Sequence, residues 1–311
     1  MILTYLDAYR ERFGVEPICR VLSEHGITIA PGTYYRWKET PVRESELTEA
    51  YLVNALVDLY RRNRSVYGVR KLWRAARRAG LPVGRDQVGR LMRIAGVQGV
   101  RRGVHRTRTT VADQRAPRYP DLVKRAWRAP NRPDAVWVAD FTYVWTAAGF
   151  VYVSFVTDVF SRRILGWKVS VDRREHLVRG ALRMALATRR RHDARFTSTG
   201  IIHHSDAGSQ YTALAMTEAL AEAGMAGSIG TVGDALDNAL MESTIGLYKT
   251  ELIDERSTGR NWTGLRDVER ETAEWVHWYN TERLHSSIDY STPIEREVEY
   301  GDQVARLRQA S

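Results

Sequence analysis

Cysteine is nearly missing: Cys19 is the only one in 311 residues, which excludes a disulfide within the chain and a cysteine-based zinc site. A reducing cytoplasm suits this usage. Long apolar runs are lacking too. The longest, around Phe150 to Val159, is interrupted by Ser154 and Asp158 and is far too short to span a bilayer, so no membrane partner is expected. Met1 leads into a mixed polar, helix-like segment rather than a secretory leader. Proline is sparse at 9 residues, yet Pro117, Pro120, Pro130 and Pro133 crowd into one stretch that should break regular structure.

Acidic side chains are scarce where basic ones concentrate. Residues 61–132 hold 21 Lys/Arg and 3 Asp/Glu, a balance of +18, against −3 for residues 1–60 and −5 for residues 133–311. Most of that block is Arg, whose planar fork grips phosphate oxygens bidentately, so nucleic acid is the expected partner. A solvated basic surface is the alternative, but so many like charges repel one another unless a polyanion neutralises them. With 43% hydrophobic content the chain can still fill a core.

Five segments follow from the patterning. Residues 1–42 read as two short helices around a turn: Pro17 to Glu24 carries Ile18, Val21 and Leu22, Gly26 breaks it, and Pro31-Gly32-Thr33 opens a second helix through Lys38. That fits a helix-turn-helix or a small helical cap equally. Residues 43–98 read as a basic trihelical DNA-binding domain. Its first helix has a stripe of Leu47, Ala50, Tyr51, Leu56 and Leu59, and Gly80 and Gly96 close the two that follow. Arg70, Lys71, Arg74, Arg85 and Arg90 are its expected DNA contacts. Residues 99–133, starting with Arg101 and Arg102, read as a basic linker that lies along a phosphate backbone and is ordered mainly when bound. Residues 134–260 give strands first and then alternating helices and strands, an α/β or α+β core around a mixed sheet. Residues 261–311 supply a C-terminal helix, with Leu265, Val268, Thr272, Trp275, Val276 and Tyr279 as its apolar stripe, and a tail. Arg283 and His285, in a turn beyond that helix, are candidates for phosphate contact.

Within the core, three carboxylates sit where catalytic acids would. Asp140 falls within or just after a central strand, Asp206 directly follows the strand Ile201 to Ser205, and Glu242 belongs to a helix running from about Asp234 or Asp237 to Ile253. The last two acids are separated by 35 residues. At 3.6 residues per turn, Asn238, Glu242 and Lys249 share one helix face. Three converging carboxylates raise each other's pKa unless cations compensate, and two magnesium ions about 4 Å apart would do so, with manganese as a substitute. Taken singly, Asp206 also fits a turn and Asp237 a helix N-cap. His203 and His204 point to opposite faces of their strand and stay outside the metal shell.

These residues lie in recognisable runs. Trp137-Val138-Ala139-Asp140-Phe141-Thr142-Tyr143, His204-Ser205-Asp206-Ala207-Gly208-Ser209-Gln210-Tyr211, and Asp237-Asn238-Ala239-Leu240-Met241-Glu242-Ser243 with Lys249-Thr250-Glu251 resemble the catalytic core of retroviral-type integrases. More closely, with Tyr67-Gly68-Val69-Arg70-Lys71-Leu72 and Trp278-Tyr279-Asn280-Thr281-Glu282-Arg283-Leu284-His285, the chain looks like the OrfB-type DDE transposase of bacterial insertion sequence family three. The resemblance implies a ribonuclease H-like core in which Asp140, Asp206 and Glu242 hold two magnesium ions and Lys249 contacts an element end. It also implies cleavage of one strand by hydrolysis and attack of the freed 3′ hydroxyl on another phosphodiester, without a nucleotide cofactor. The partners implied are double-stranded DNA, both element ends and target, a further copy of the chain in at least a dimer, and an upstream-frame helix-turn-helix and zipper protein or a fusion with it. Ala207 and Thr244-Ile245 depart from the family's commoner wording.

Two other functions use the same residues: a nuclease of this fold that only hydrolyses, and a non-enzymatic DNA-binding regulator with structural carboxylates. Whichever holds, DNA affinity should fall steeply and linearly in log–log terms as salt rises, with a slope of about −0.9 per phosphate neutralised. A binding isotherm series across salt checks this, and a flat profile would remove residues 61–132 from the DNA interface.

Overall fold

A turn of positive-φ glycine ends each of the helices that the basic block was expected to form. In the computed structural model, which describes residues 2–39, 42–101, 119–123, 130–206, 208–230, 239–254 and 259–309, Gly80 has φ 78° and Gly96 φ 67°. They follow α5 (Val69–Arg78) and α6 (Arg85–Ile94), and both helices pack on α4 (Glu44–Arg62). Ahead of them stand α1 (Ile2–Phe13), α2 (Val15–Glu24) and α3 (Pro31–Glu39), sharing a cluster of Leu6, Val15, Ile18, Cys19, Ile29 and Tyr34. The sequence reading has two helices here, not three. It passes over α1 because Leu6 is that helix's one fully buried side chain, too little to make a periodic stripe. Asp7 of α1 instead holds α3 by polar contacts, accepting from the Tyr34 hydroxyl at 2.8 Å and pairing with Lys38 at 3.1 Å.

Among the described residues five strands form one sheet, in the order β3-β2-β1-β4-β5. Strand β1 (Val136–Thr146) turns at Ala147-Ala148 into β2 (Gly149–Asp158), with Gly149 at φ 103°, and β3 (Ile164–Ser170) continues antiparallel. Strands β4 (Ile202–Ser205) and β5 (Ala226–Ile229) run parallel to β1 on its other side. Alternation along β1 serves two layers. Val136, Val138 and Val144 enter one apolar cluster, and Trp137 and Ala139 enter another with Val178, Ala181, Leu182 and Ala185 of α7 (Glu175–His192) and Met216 and Leu220 of α9 (Leu214–Glu222), which follows the short α8 (Ser209–Thr212). A sheet covered on both faces must show such continuous apolar character.

The first face is covered by α10 (Ala239–Tyr248), its continuation as a π-turn (Lys249–Ile253), and α11 (Leu265–Thr281). Trp275 of α11 is fully buried, its ring 6.3 Å from Phe155, 5.2 Å from Tyr248 and 4.9 Å from Tyr279. The same cluster takes in Leu56, Leu72, Ala76, Val88, Leu91 and Met92, so the trihelical unit and the core share one apolar interior.

Two expectations need correcting. The tail beyond α11 contains a further helix, α12 (Pro293–Gln309), which shows almost no apolar burial and is held by charge. Its Glu297 carboxylate accepts from Arg163 at 2.6 Å, from Arg189 at 2.7 Å through both terminal nitrogens, and from the Ser161 hydroxyl at 2.8 Å. Burial beside this cluster pushes Asp158 up to about 6. The basic linker, for its part, is not wholly apart from the fold. Tyr119–Val123 lies over the β5 edge: Leu122 N–H donates to Ser228 Oγ at 2.9 Å, Val123 is buried, and a Cβ at Gly227 would come within 2.5 Å of the Tyr119 ring. Arg102 and most of that segment lie outside the described residues.

The seam between β3 and α7 depends on Gly166. A methyl there would sit 2.1 Å from the Ala181 carbonyl oxygen and 2.5 Å from the Ala185 nitrogen, so strand and helix backbones would have to separate. Gly166→Ala should cost about 3 kcal/mol, read as a lower denaturant midpoint at unchanged m-value. Wild-type stability in that variant would show that the layers are not so closely packed.

Candidate active site

Parallel pairing of β1 with β4 sets the first two acids. Val136 pairs with Ile202, Val138 with His204 and Ala139 with Ser205, so Asp140 and Asp206 come next on adjacent strands and on the same face. Strand spacing is about 4.8 Å. Backbone donors anchor each carboxylate: Phe141 N–H reaches Asp140 at 2.7 Å and Gly208 N–H reaches Asp206 at 3.2 Å. The third acid, Glu242, is in the first turn of α10, which packs on β1 with Met241 and Thr244 buried and Glu242 exposed. Residues 231–238, including Asn238 and the expected helix start, lie outside the described residues.

Electrostatics join the three. Burial pushes Asp140 well above the usual carboxylate range, the neighbouring Asp206 pushes it further, the Phe141 N–H opposes, and Glu242 adds a weaker push. The two aspartates are therefore the close pair, with Glu242 farther out. Among the described residues no three His, Cys, Asp or Glu side chains gather tightly enough to hold one ion. The donor set nevertheless fits a hard divalent cation, since all three candidates are carboxylates and a positive charge would offset both the burial of Asp140 and its repulsion from Asp206.

Tyrosines line the surroundings, and motif reading passed over them. Tyr211 is buried beneath the pair, its hydroxyl pushed well above its ordinary pKa by burial and by Asp140 and Asp206. Lys249, at the end of α10, donates to the Tyr143 carbonyl and stands 4.4 Å from the Tyr143 ring centroid, and burial lowers it to about 8. Strand alternation does not find Tyr143, which lies three residues along from Asp140 and so on the opposite face by period; the reach of Lys249 to it is what reveals the contact. His203 and His204 are both buried. His204 Nδ1 is 2.8 Å from Ser228 Oγ, and His203 is lowered to about 4 by burial and by its neighbour.

The expected DNA contacts divide. Arg70, Arg74, Arg85, Arg90 and Arg101 are exposed, Arg90 pairing with Glu49 and Arg74 lying 4.8 Å and 4.9 Å from the Trp73 and Tyr290 ring centroids. Lys71 is half-buried over Tyr67, and burial together with Arg283 lowers it to about 7. Arg283 and His285 are corrected outright: their exposures are 2% and 4%, which leaves no room for a phosphate. Arg283 grips Glu251. Its Nη1 donates to His285 Nδ1 at 3.2 Å, leaving His285 Nε2–H to donate to the Tyr279 carbonyl at 3.1 Å, and burial holds that ring neutral. Charge shows in a sequence, but burial of a lone arginine does not. Among the described residues no helix is long and apolar enough to cross a membrane.

Comparison with known proteins places the same residues in named models. Two integrase core domain models match residues 130–235 and 223–293, and an HTH-like domain model matches residues 46–105. The transposase for insertion sequence element IS629 of Shigella sonnei is 42% identical over 304 residues, covering 96% of each chain. A putative transposase for insertion sequence element IS986/IS6110 of Mycobacterium tuberculosis is 44% identical over 278 residues, covering 89% of this chain and 98% of the relative. Among solved structures, the catalytic core domain of BIV integrase aligns with a TM-score of 0.39 at 17% identity, over 55% of this chain and 99% of that one.

If the carboxylates share a cation, magnesium or manganese should raise the unfolding temperature of the metal-free protein. A hundredfold excess over Kd corresponds to about 2.7 kcal/mol. Asp140→Asn should lose that rise without losing stability in chelator. A wild-type melting curve indifferent to both ions would refute a shared site.

Proposed function

The chain belongs to the insertion-sequence transposases built on an integrase core domain, and from that premise we propose that it cuts one DNA strand at its element's ends and joins the exposed 3′ hydroxyl to target DNA. The observation that carries this reading is the β1–β4 register, which sets Asp140 and Asp206 side by side on the face where α10 brings Glu242. Those three residues would hold two magnesium ions, with manganese as a substitute. When bound, such ions activate an attacking oxygen and offset charge on the leaving 3′ oxygen.

The chain's own groups do the placing. Asp140, within β1, and Asp206, just past β4, offer anionic oxygens from positions set by strand register, and Glu242 offers one from the first turn of α10. Lys249, braced on Tyr143, presents a cation to the element-end phosphate beside the acids. Arg70, Arg74, Arg85, Arg90 and Arg101 of the HTH-like unit and the start of the linker hold phosphates farther along, with Lys71 at their margin. The helical unit of residues 1–42 is a second DNA-binding element in this reading. No nucleotide cofactor is required, because one phosphodiester is exchanged for another. Two ends must be held at once, so the working form is at least a dimer, acting on chromosomal DNA in a bacterial cytoplasm.

The test incubates the purified chain with magnesium and DNA carrying a circular junction of element ends, and looks for nicked and joined products. Asp140→Asn, Asp206→Asn and Glu242→Gln should each abolish cleavage and leave DNA affinity intact. Wild-type nicking by any of them removes that residue from the site. Nicks without joined products would identify a nuclease instead.

A further inference from the structure

The helix that carries Glu242 does not end as an ordinary α-helix. It widens into the π-turn Lys249–Ile253, where Asp254 N–H donates to the Lys249 carbonyl at 2.7 Å, five residues back. Such a turn holds one residue more than an α-turn and is stabilised from outside rather than by its own bonds. Outside contacts reach it at three places among the described residues: Lys249 on the Tyr143 carbonyl, Trp262 Nε1 on the Ile253 carbonyl at 3.2 Å, and, in its middle, one buried arginine on Glu251. Arg283 Nη2 reaches Glu251 Oε1 at 2.5 Å, and Arg283 Nε reaches Oε2 at 2.9 Å and Oε1 at 3.2 Å. The side chains are 3% and 8% exposed.

Burying such a pair stabilises little, because the desolvation of two charges offsets their attraction, and apolar residues of the same size would often serve as well. What a forked guanidinium adds is direction. Arg283 is itself fixed on every side: its guanidinium carbon lies 5.7 Å from the Tyr279 ring centroid and 5.9 Å from that of Trp278, and its Nη1 bonds His285. The next residue, Leu284, donates its N–H to the Tyr67 hydroxyl at 2.7 Å, and Tyr67 stands just ahead of α5 in the HTH-like unit. A continuous set of contacts thus runs from the DNA-binding helices through Tyr67, Leu284 and Arg283 to Glu251.

Resting on the strand-transfer reading above, we propose that the Glu251–Arg283 ion pair is a positioning element for the catalytic helix. It fixes the π-turn so that Glu242 and Lys249 keep their places, and through Tyr67 it passes the seating of the HTH-like unit to that helix. Neither residue touches DNA or the reacting atoms.

Hydrogen exchange on the full chain, with neither DNA nor metal present, reads the positioning directly. Arg283→Lys keeps the charge but loses the fork, and Glu251→Gln keeps the shape but loses the charge. Each should speed exchange in peptides covering residues 239–254 while β1, β2 and α7 stay protected. Tyr67→Phe should speed it in the same peptides to a lesser degree. With magnesium and saturating junction DNA, single-turnover cleavage by Arg283→Lys or Glu251→Gln should fall by roughly a hundredfold at unchanged DNA affinity.

Unchanged cleavage, or faster exchange spread evenly over the sheet, overturns the proposal, since the pair would then be idle or merely structural. Should Arg283→Lys fail to fold, Glu251→Gln carries the same comparison. Asp140→Asn separates the two levels: if it still cleaves, the strand-transfer reading fails, whereas a dead Asp140→Asn beside a fully active Glu251→Gln sinks only the positioning role.

Discussion

Like charges forced together by strand pairing are the constraint from which the rest of this molecule follows. Two parallel strands in register leave their next residues no choice but to be neighbours, and here both are aspartates. Nothing in the sheet can separate them without undoing backbone hydrogen bonds. The repulsion must be met by something else, and it adds to burial, the larger cause, in holding Asp140 well above the usual carboxylate range. Glu242 escapes the same confinement because it sits on a helix in contact with the sheet rather than hydrogen-bonded into it. Two acids are thus placed by strand register and the third by the packing of α10 on β1.

Much of this was legible from residue order. The β1–β2 hairpin announces itself through alternating strand formers around Ala147-Ala148-Gly149, and the three helices of the HTH-like unit through the stripe of the first and the closing glycines of the other two. The mixed-sheet core followed from strands succeeded by alternating helices and strands, its ribonuclease H-like character only from the resemblance of the runs around Asp140, Asp206 and Glu242, and the matching integrase core models agree. What escaped is equally instructive. Strand β5 is Ala226-Gly227-Ser228-Ile229, small residues whose place is set by the partner strand and by Tyr119, not by any propensity of their own. Helix α12 lacks an apolar stripe and depends on Glu297, whose partners Arg163 and Arg189 come from over a hundred residues earlier. Arg283 and His285 read as free cations because a sequence records charge and not depth.

Two buried arginine clusters divide the labour of holding this chain together. The one at Glu297 ties the last helix to the end of the sheet near β3 and α7, and the one at Glu251 ties the turn after α10 to the HTH-like unit. Both use guanidinium forks where a hydrophobic contact would have been the simpler solution. Apolar contacts tolerate sliding, whereas a fork engaged at two or more points does not. Elements distant in sequence are thereby given one relative setting, and the aromatic interior around Trp275 supplies the adhesion that makes the setting persist.

The strap formed by Tyr119–Val123 has a wider consequence. An uncovered outer strand invites another molecule to zip onto it backbone to backbone, a hazard most severe when several copies crowd along one polymer. With a tyrosine ring laid across Gly227 and a neighbouring amide engaged by Ser228, that route to clumping is shut on one flank. Copies meeting there must touch through side chains, which can tell a correct partner from a wrong one in a way that bare main chain cannot.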